Sequence, residues 1–263
     1  FMCIEGIRHA RRQLPRWMRP RTHSVAWWSR PGRARVTFQP LGVIGVVVPW
    51  NYPLSLAVGP SIPALAAGNR VMVKMSEYTP RIGGLFERMI AEAFDPAEMT
   101  IVNGGVEVAQ RFTSLPFDHL LFTGSTPVGR EVMKSAAANL TPVTLELGGK
   151  SPVIIGPDFD LAEAARRVVH GKLANGGQTC IAPDYALVPT GRVEEFIAAC
   201  RGATERLYPT LVDNLDYTSI INARHYHRLA GYVDEAVRRG ARVHKLHPDG
   251  SVPDRRQIGR AHA

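Results

Sequence analysis

Five short apolar runs, at residues 43–48, 70–74, 99–102, 118–123 and 142–147, constrain this chain more than any other feature. Helical patterns lie between them at 62–67, 82–93, 105–113 and 127–138. The runs read as strands that alternate with helices. Such an alternation predicts a parallel sheet with both faces covered. The punctuation agrees: Gly68-Asn69 is a helix stop, and Gly104-Gly105 a strand-to-helix turn. Ahead of the sheet, residues 5–19 predict an arginine-rich helix ended near Pro20. Residues 33–48 predict extended chain, broken by Pro40 and Gly42.

After Gly148-Gly149 the pattern restarts. Strands are expected at 151–155, 185–188 and 241–245, and helices at 161–173, 193–207 and 225–239. The paired glycines mark a hinge, so one domain is expected over residues 1–148 and another over 149–247. Residues 248–263 are polar, carry Pro253 and end in Gln257-Ile258-Gly259-Arg260-Ala261-His262-Ala263. That ending reads like a translated sequencing adapter, and a non-native or disordered tail is expected there. The chain opens on Phe1, so an incomplete N-terminus is expected as well.

At 263 residues the chain has length for one large domain or two modest ones. Its longest apolar run, residues 41–50, is too short to span a bilayer and carries Pro49. The first residues show no charged region followed by an apolar one, as a secretory leader would. The net charge of +9 is unevenly spread. Nine arginines against Glu5 give the first 40 residues +8 and leave +1 for the other 223. Arginines so placed either bind a polyanion or form the solvated face of a helix, and the second reading is preferred. No nucleic-acid partner is expected. Three cysteines, Cys3, Cys180 and Cys200, make no disulfide framework and no metal-ligand spacing. They suit a reducing compartment, and a cytoplasmic location is expected. Cys200 closes a helical pattern and reads as a buried apolar residue.

Two residues carry candidate chemistry. Cys180 ends Asn175-Gly176-Gly177-Gln178-Thr179-Cys180, where glycines let backbone and ligand approach a thiol. Without that context a lone cysteine reads as inert and buried. Glu146, in Thr144-Leu145-Glu146-Leu147-Gly148-Gly149-Lys150, lies in a run expected to be buried. A carboxylate there is costly unless paired or used. A cysteine that forms an acyl intermediate needs a base to bring in water, and a strand-end carboxylate can serve. Three more stretches stand at strand ends: Pro49-Trp50-Asn51-Tyr52-Pro53, Lys74-Met75-Ser76-Glu77, and Gly124-Ser125-Thr126-Pro127-Val128-Gly129. The last puts backbone N–H groups and a first-turn proline at a helix start, which suits a pyrophosphate. It departs from Gly-x-Gly-x-x-Gly because Thr126 replaces the second glycine.

Taken together, these segments resemble the aldehyde dehydrogenase superfamily over residues 7–245, most closely its branch for coniferyl-type and fatty aldehydes. The resemblance implies a Rossmann-like α/β cofactor domain followed by part of an α/β catalytic domain. It implies NAD, with NADP possible, as cofactor and a small-molecule aldehyde as substrate. Cys180 is then the nucleophile, Glu146 the base for thioester hydrolysis, and Asn51 an oxyanion donor. Lys74 and Glu77 would meet the adenosine ribose, Ser76 is a further cofactor position, and Met75 stands where the family usually has proline. Gly124, Ser125 and Gly129 would meet the phosphates, and Trp50, Leu147 and Gly148 complete the cofactor positions. Family members continue past residue 246, so a poorly active fragment is expected, lacking the segment through which the full-length protein forms homo-oligomers. Two rivals are an enzyme that passes the thioester to coenzyme A, disfavoured by Glu146, and a non-catalytic polyanion-binding protein.

Overall fold

A computed structural model describes residues 1–211 and 214–247. Contacts divide the chain into two compact units, one running from Phe1 to Leu147 and the other beginning at Gly148. The expectation for residues 248–263 falls outside the described residues.

The first unit opens with helix α1 (Met2–Trp17), which contains Pro15 and buries only Ala10. Its arginines Arg8, Arg11, Arg12 and Arg16 are exposed. A small antiparallel ribbon follows, β1 (Arg21–His23) with β2 (Ala34–Val36). Then come β3 (Val43–Val47), α2 (Pro53–Ala66), β4 (Arg70–Lys74), α3 (Pro80–Ala93), β5 (Met99–Val102), α4 (Val106–Thr113), β6 (His119–Gly124), α5 (Thr126–Ala137) and β7 (Val143–Leu147). All five expected strands are present, and they pair in parallel in the order β5-β4-β3-β6-β7. Helix α2 starts well before its expected limit. Pro53 stands in its first turn, where a missing N–H is harmless, and Pro60 and Pro63 lie inside it.

Alternation along the strands builds two cores. Ile44, Val46, Val71, Val73 and Met99 pack with Ala57 of α2 and with Phe86 and Ile90 of α3. On the opposite face Leu120 and Phe122 pack with Phe112 of α4 and with Val132 and Ala136 of α5. The register is pinned where β3 begins. Asn69 Oδ1 accepts the N–H groups of Leu41 and Gly42 at 2.7 and 3.1 Å, and Asp118 Oδ2 accepts that of Val43 at 2.7 Å. A Cβ on Gly42 would stand 2.1 Å from that same Asp118 oxygen, and Gly42 also has φ +138.

The second unit contains β8 (Ser151–Ile154), α6 (Leu161–Leu173), β9 (Pro183–Leu187), α7 (Val193–Leu207) and α8 (Ala223–Arg238). Strands β8 and β9 pair in parallel as a two-stranded sheet. Asp160 caps α6, accepting the N–H groups of Ala162 and Glu163 at 2.7 and 3.0 Å. The core here gathers Ile155, Leu161, Ala165, Val169, Phe196 and Cys200. The strand expected at 241–245 is not formed. Among the described residues no strand pairs with it, and a lone extended segment has no ladder to join. It is held instead by Arg201, whose Nε donates to the Lys245 carbonyl at 3.0 Å.

Candidate active site

Parallel pairing places the carboxyl ends of all five strands along one edge, and the first unit's candidate residues lie there. The strand order reverses between β3 and β6, and ligands of open α/β sheets bind outside such a switch point. Trp50 and Asn51, both half-buried, occupy the turn from β3 into α2. Gly124 ends β6, and Ser125 is the N-cap of α5 without using its side chain as a cap. Pro127 occupies the first turn of that helix. The fit for a pyrophosphate is good: a positive helix end, an adjacent hydroxyl, and little side-chain bulk. Gly129 serves packing, since a Cβ there would stand 3.0 Å from Leu147 Cδ2.

Lys74 closes β4 with only 2% of its surface exposed, and its Nζ donates to the Met75 carbonyl at 2.6 Å. Burial pushes its pKa below the usual lysine range, and the nearby Glu77 carboxylate partly offsets that. Ser76 is buried and its Oγ accepts the Tyr78 N–H at 3.3 Å, while Glu77 is exposed. Met75 holds the turn in a way that proline could not. Its N–H donates to the Val102 carbonyl at 3.0 Å, adding a rung to the β4–β5 ladder, and its side chain is fully buried. Beside this turn lies a cavity of about 370 Å³ lined by Ser76, Glu77, Pro80, Gly84, Glu87, Asn103, Gly104 and Gly105.

Glu146 departs from expectation. Leu145 and Leu147 pack towards the core, but β7 is the last strand of the sheet, and Glu146 faces the opposite side, where it is exposed. The run is therefore half-buried, and the Glu146 carboxylate bears no cost of burial. What remains for Glu146 is its position at the carboxyl end of the sheet.

Cys180 belongs to the second unit, as does Gly148, which is exposed at its start. The Cys180 thiol is exposed, on a turn closed by the Ala182 N–H donating to the Thr179 carbonyl at 3.1 Å. The loop before it is unusual backbone: Asn175, Gly176 and Gly177 have φ of 53, 60 and 77 in succession. A Cβ on Gly176 would stand 2.8 Å from the Thr218 carbonyl oxygen, so glycine is required there on two counts. Gln178 braces the loop. Its Nε2 donates to the Asn175 and Ser219 carbonyls at 2.9 and 3.1 Å, and its Oε1 accepts the Ile221 N–H at 2.9 Å. The sequence reading gave Gln178 no role. The available signal was an amide, able both to donate and to accept, two places before a candidate nucleophile. Cys200 is the opposite kind of thiol, buried in the second core with its pKa pushed up to about 11 by burial. It stays protonated and inert near neutral pH.

A model of the aldehyde dehydrogenase family matches residues 2–256. A probable coniferyl aldehyde dehydrogenase of Pseudomonas aeruginosa is 51% identical over 247 residues, which is 94% of this chain and 52% of that protein. The coniferyl aldehyde dehydrogenase of Pseudomonas sp. strain HR199 is 48% identical over 246 residues, 93% of this chain and 50% of that protein. Among solved structures, the substrate-bound state of Staphylococcus aureus AldH aligns with a TM-score of 0.85 at 37% identity, covering 90% of this chain and 52% of that one. Mycobacterium tuberculosis aldehyde dehydrogenase complexed with NAD+ aligns with a TM-score of 0.78 at 34% identity, covering 90% and 50%. The chain spans about half the length of the curated relatives it matches.

Two outcomes are expected from this geometry. Between Lys74's lowered pKa and the ordinary 10.5, the unfolded state binds more protons than the folded one, so stability rises with pH across that window. The penalty for a charged Lys74 is then largest at neutral pH. Lys74→Met should raise the thermal midpoint at neutral pH, with the gain over wild type shrinking as pH approaches 10.5. A constant difference across that range would contradict it. Gln178→Ala should remove hydrogen bonds worth together about 1–3 kcal/mol. Amide exchange over residues 174–181 and 219–221 should quicken while α7 keeps its protection.

Proposed function

We propose that this chain, which belongs to the aldehyde dehydrogenase family, carries the cofactor-binding and nucleophile-bearing parts of an enzyme that oxidises an aldehyde to a carboxylic acid. The substrate class we assign is aromatic, coniferyl-type, or fatty aldehydes, in keeping with the coniferyl aldehyde dehydrogenases it resembles. The observation that supports this most directly is the Cys180 loop. A left-handed backbone run braced by Gln178 holds one exposed thiol, while Cys200 is sequestered.

In this reading the Cys180 thiolate adds to the aldehyde carbon, and the carbonyl oxygen becomes an oxyanion that the Asn51 side-chain amide stabilises as donor. When bound, a nicotinamide dinucleotide supplies the hydride acceptor that the oxidation requires. Lys74 and Glu77 would hold its adenosine ribose, the Gly124-Ser125 turn its phosphates, and Trp50, Ser76, Leu147 and Gly148 its remaining contacts. Loss of hydride leaves a thioester on Cys180. Glu146 removes a proton from water, the water oxygen bonds to the acyl carbon, and the C–S bond breaks to release acid and regenerate the thiol. Glu146 is exposed on the sheet's last strand, which suits a base that must meet water. Assignment to the cytoplasm rests on three unpaired cysteines. Among the described residues no helix is long and apolar enough to cross a membrane. Division into a cofactor domain and a catalytic domain near Gly148, and homo-oligomer formation by a protein of the relatives' length, are parts of the same proposal.

With coniferyl aldehyde and NAD, Cys180→Ala should abolish NADH formation, whereas Cys200→Ala should lower only thermal stability. Because the chain spans about half of its relatives, turnover should be far below that of the same residues within a chain of their length. Activity retained by Cys180→Ala in that longer setting would overturn the mechanism, and a rate that depends on added coenzyme A would replace hydrolysis with acyl transfer. Glu77 should also set cofactor choice. Its carboxylate accepts a hydrogen bond from a ribose 2′-hydroxyl and repels a 2′-phosphate, so NAD should bind more tightly than NADP. Glu77→Gln should narrow that gap, and equal affinities unchanged by the substitution would show that Glu77 does not govern it.

A further inference from the structure

The Cys180 turn is held differently where the chain enters it and where the chain leaves. On the entry side Gln178 bonds to the Asn175, Ser219 and Ile221 backbone. On the exit side Ala182 is buried, and Pro183 opens β9 against α6, where a Cβ on Gly171 would stand 3.3 Å from Pro183 Cδ. Strand β9 then pairs with β8, but the ladder is weakest at its start. Ser151 pairs with Pro183, and Pro152 with Tyr185. Neither proline has an N–H to give to a rung.

Asp184 is the residue that this register skips, so it forms a bulge in β9. A bulge re-aims a side chain, and here the carboxylate meets Lys150, whose Nζ lies 2.9 Å from Asp184 Oδ2. Lys150 stands immediately before β8, and Asp184 comes four residues after Cys180. The ion pair therefore bridges the two strands where their backbone rungs are fewest. The Lys150 side chain is 82% exposed and that of Asp184 31%, so solvent screens the pair and its coupling is modest. The proposed chemistry uses neither residue.

We propose that Asp184, held by Lys150, is a positioning residue for Cys180, fixing the exit of its turn against the leading end of β8. The inference rests on reading Cys180 as the nucleophile. Neither side chain meets the reacting atoms in this role. A turn held at both ends presents the thiol along one direction. A loosened exit spreads that direction, and attack on a carbonyl carbon is sensitive to small displacements.

Steady-state kinetics on these residues within a chain of the relatives' length, with amide exchange on the present chain, test this. Lys150→Met and Asp184→Asn should each lower kcat about threefold to fivefold, the most that one exposed ion pair supports. The KM for NAD should stay unchanged. The charge swap, Lys150→Asp with Asp184→Lys, should recover most of the loss, and Lys150→Arg should keep full turnover. In the 263-residue chain, exchange at Cys180, Ile181 and Asp184 should quicken in both single variants, while residues 175–178 keep their protection. A pair that only stabilised the unit would lower the thermal midpoint and leave kcat untouched well below it. That result, or a loss of kcat that the charge swap fails to recover, would overturn the positioning role with Cys180 still the nucleophile. Turnover retained by Cys180→Ala would instead overturn the reading of the thiol, and the role of Asp184 with it.

Discussion

The in-register parallel pairing of five strands is the constraint on which the first unit depends. Parallel ladders send every strand in the same direction, so all five carboxyl ends meet along one edge. Residues far apart in sequence, such as Trp50, Lys74, Asn103 and Gly124, gain a common location from that fact alone. A register slip of one residue would turn every apolar side chain to the wrong face and scatter this edge. The hydrogen bonds from the Leu41, Gly42 and Val43 N–H groups to Asn69 and Asp118 oppose such a slip where β3 begins.

Close approach is the second theme, and glycine supplies it at a few points that matter. Gly42 makes way for Asp118, Gly83 for Asn103, Gly129 for Leu147, and Gly176 for the Thr218 carbonyl. Two of the neighbours so admitted orient something else: Asp118 anchors the start of β3, and Asn103 bonds the Glu87 carboxylate. Met75 makes the converse point. The β4 turn is rigid through a backbone hydrogen bond and a fully buried side chain, a solution that uses the N–H a proline lacks.

Electrostatics divides the titratable groups by burial. Lys74 and Cys200 are sunk in packed surroundings, and burial disfavours the charged form of each, lowering one pKa and raising the other. Glu77, Glu146 and Cys180 stand at exposed positions. The titratable groups proposed to meet ligand or water are thus those that retain solvent access, apart from Lys74, whose charged form the Glu77 carboxylate favours.

Much of this was legible in the sequence because its signals are local. Apolar runs bounded by Gly68-Asn69 and Gly104-Gly105 determine five strands and the helices between them, and contiguous motifs determine the family. What tertiary structure alone decided concerns partners distant in sequence. The sheet order leaves β7 at an edge, and that, not its apolar composition, exposes Glu146. The segment 241–245 has strand-like composition but finds no ladder, so it is tied down by Arg201 instead. Gln178 reaches Ser219 and Ile221, and Asn103 reaches Glu87, across separations that no local pattern encodes. Burial and hydrogen bonding are settled by which surfaces meet, and a linear sequence states only which residues are available to meet.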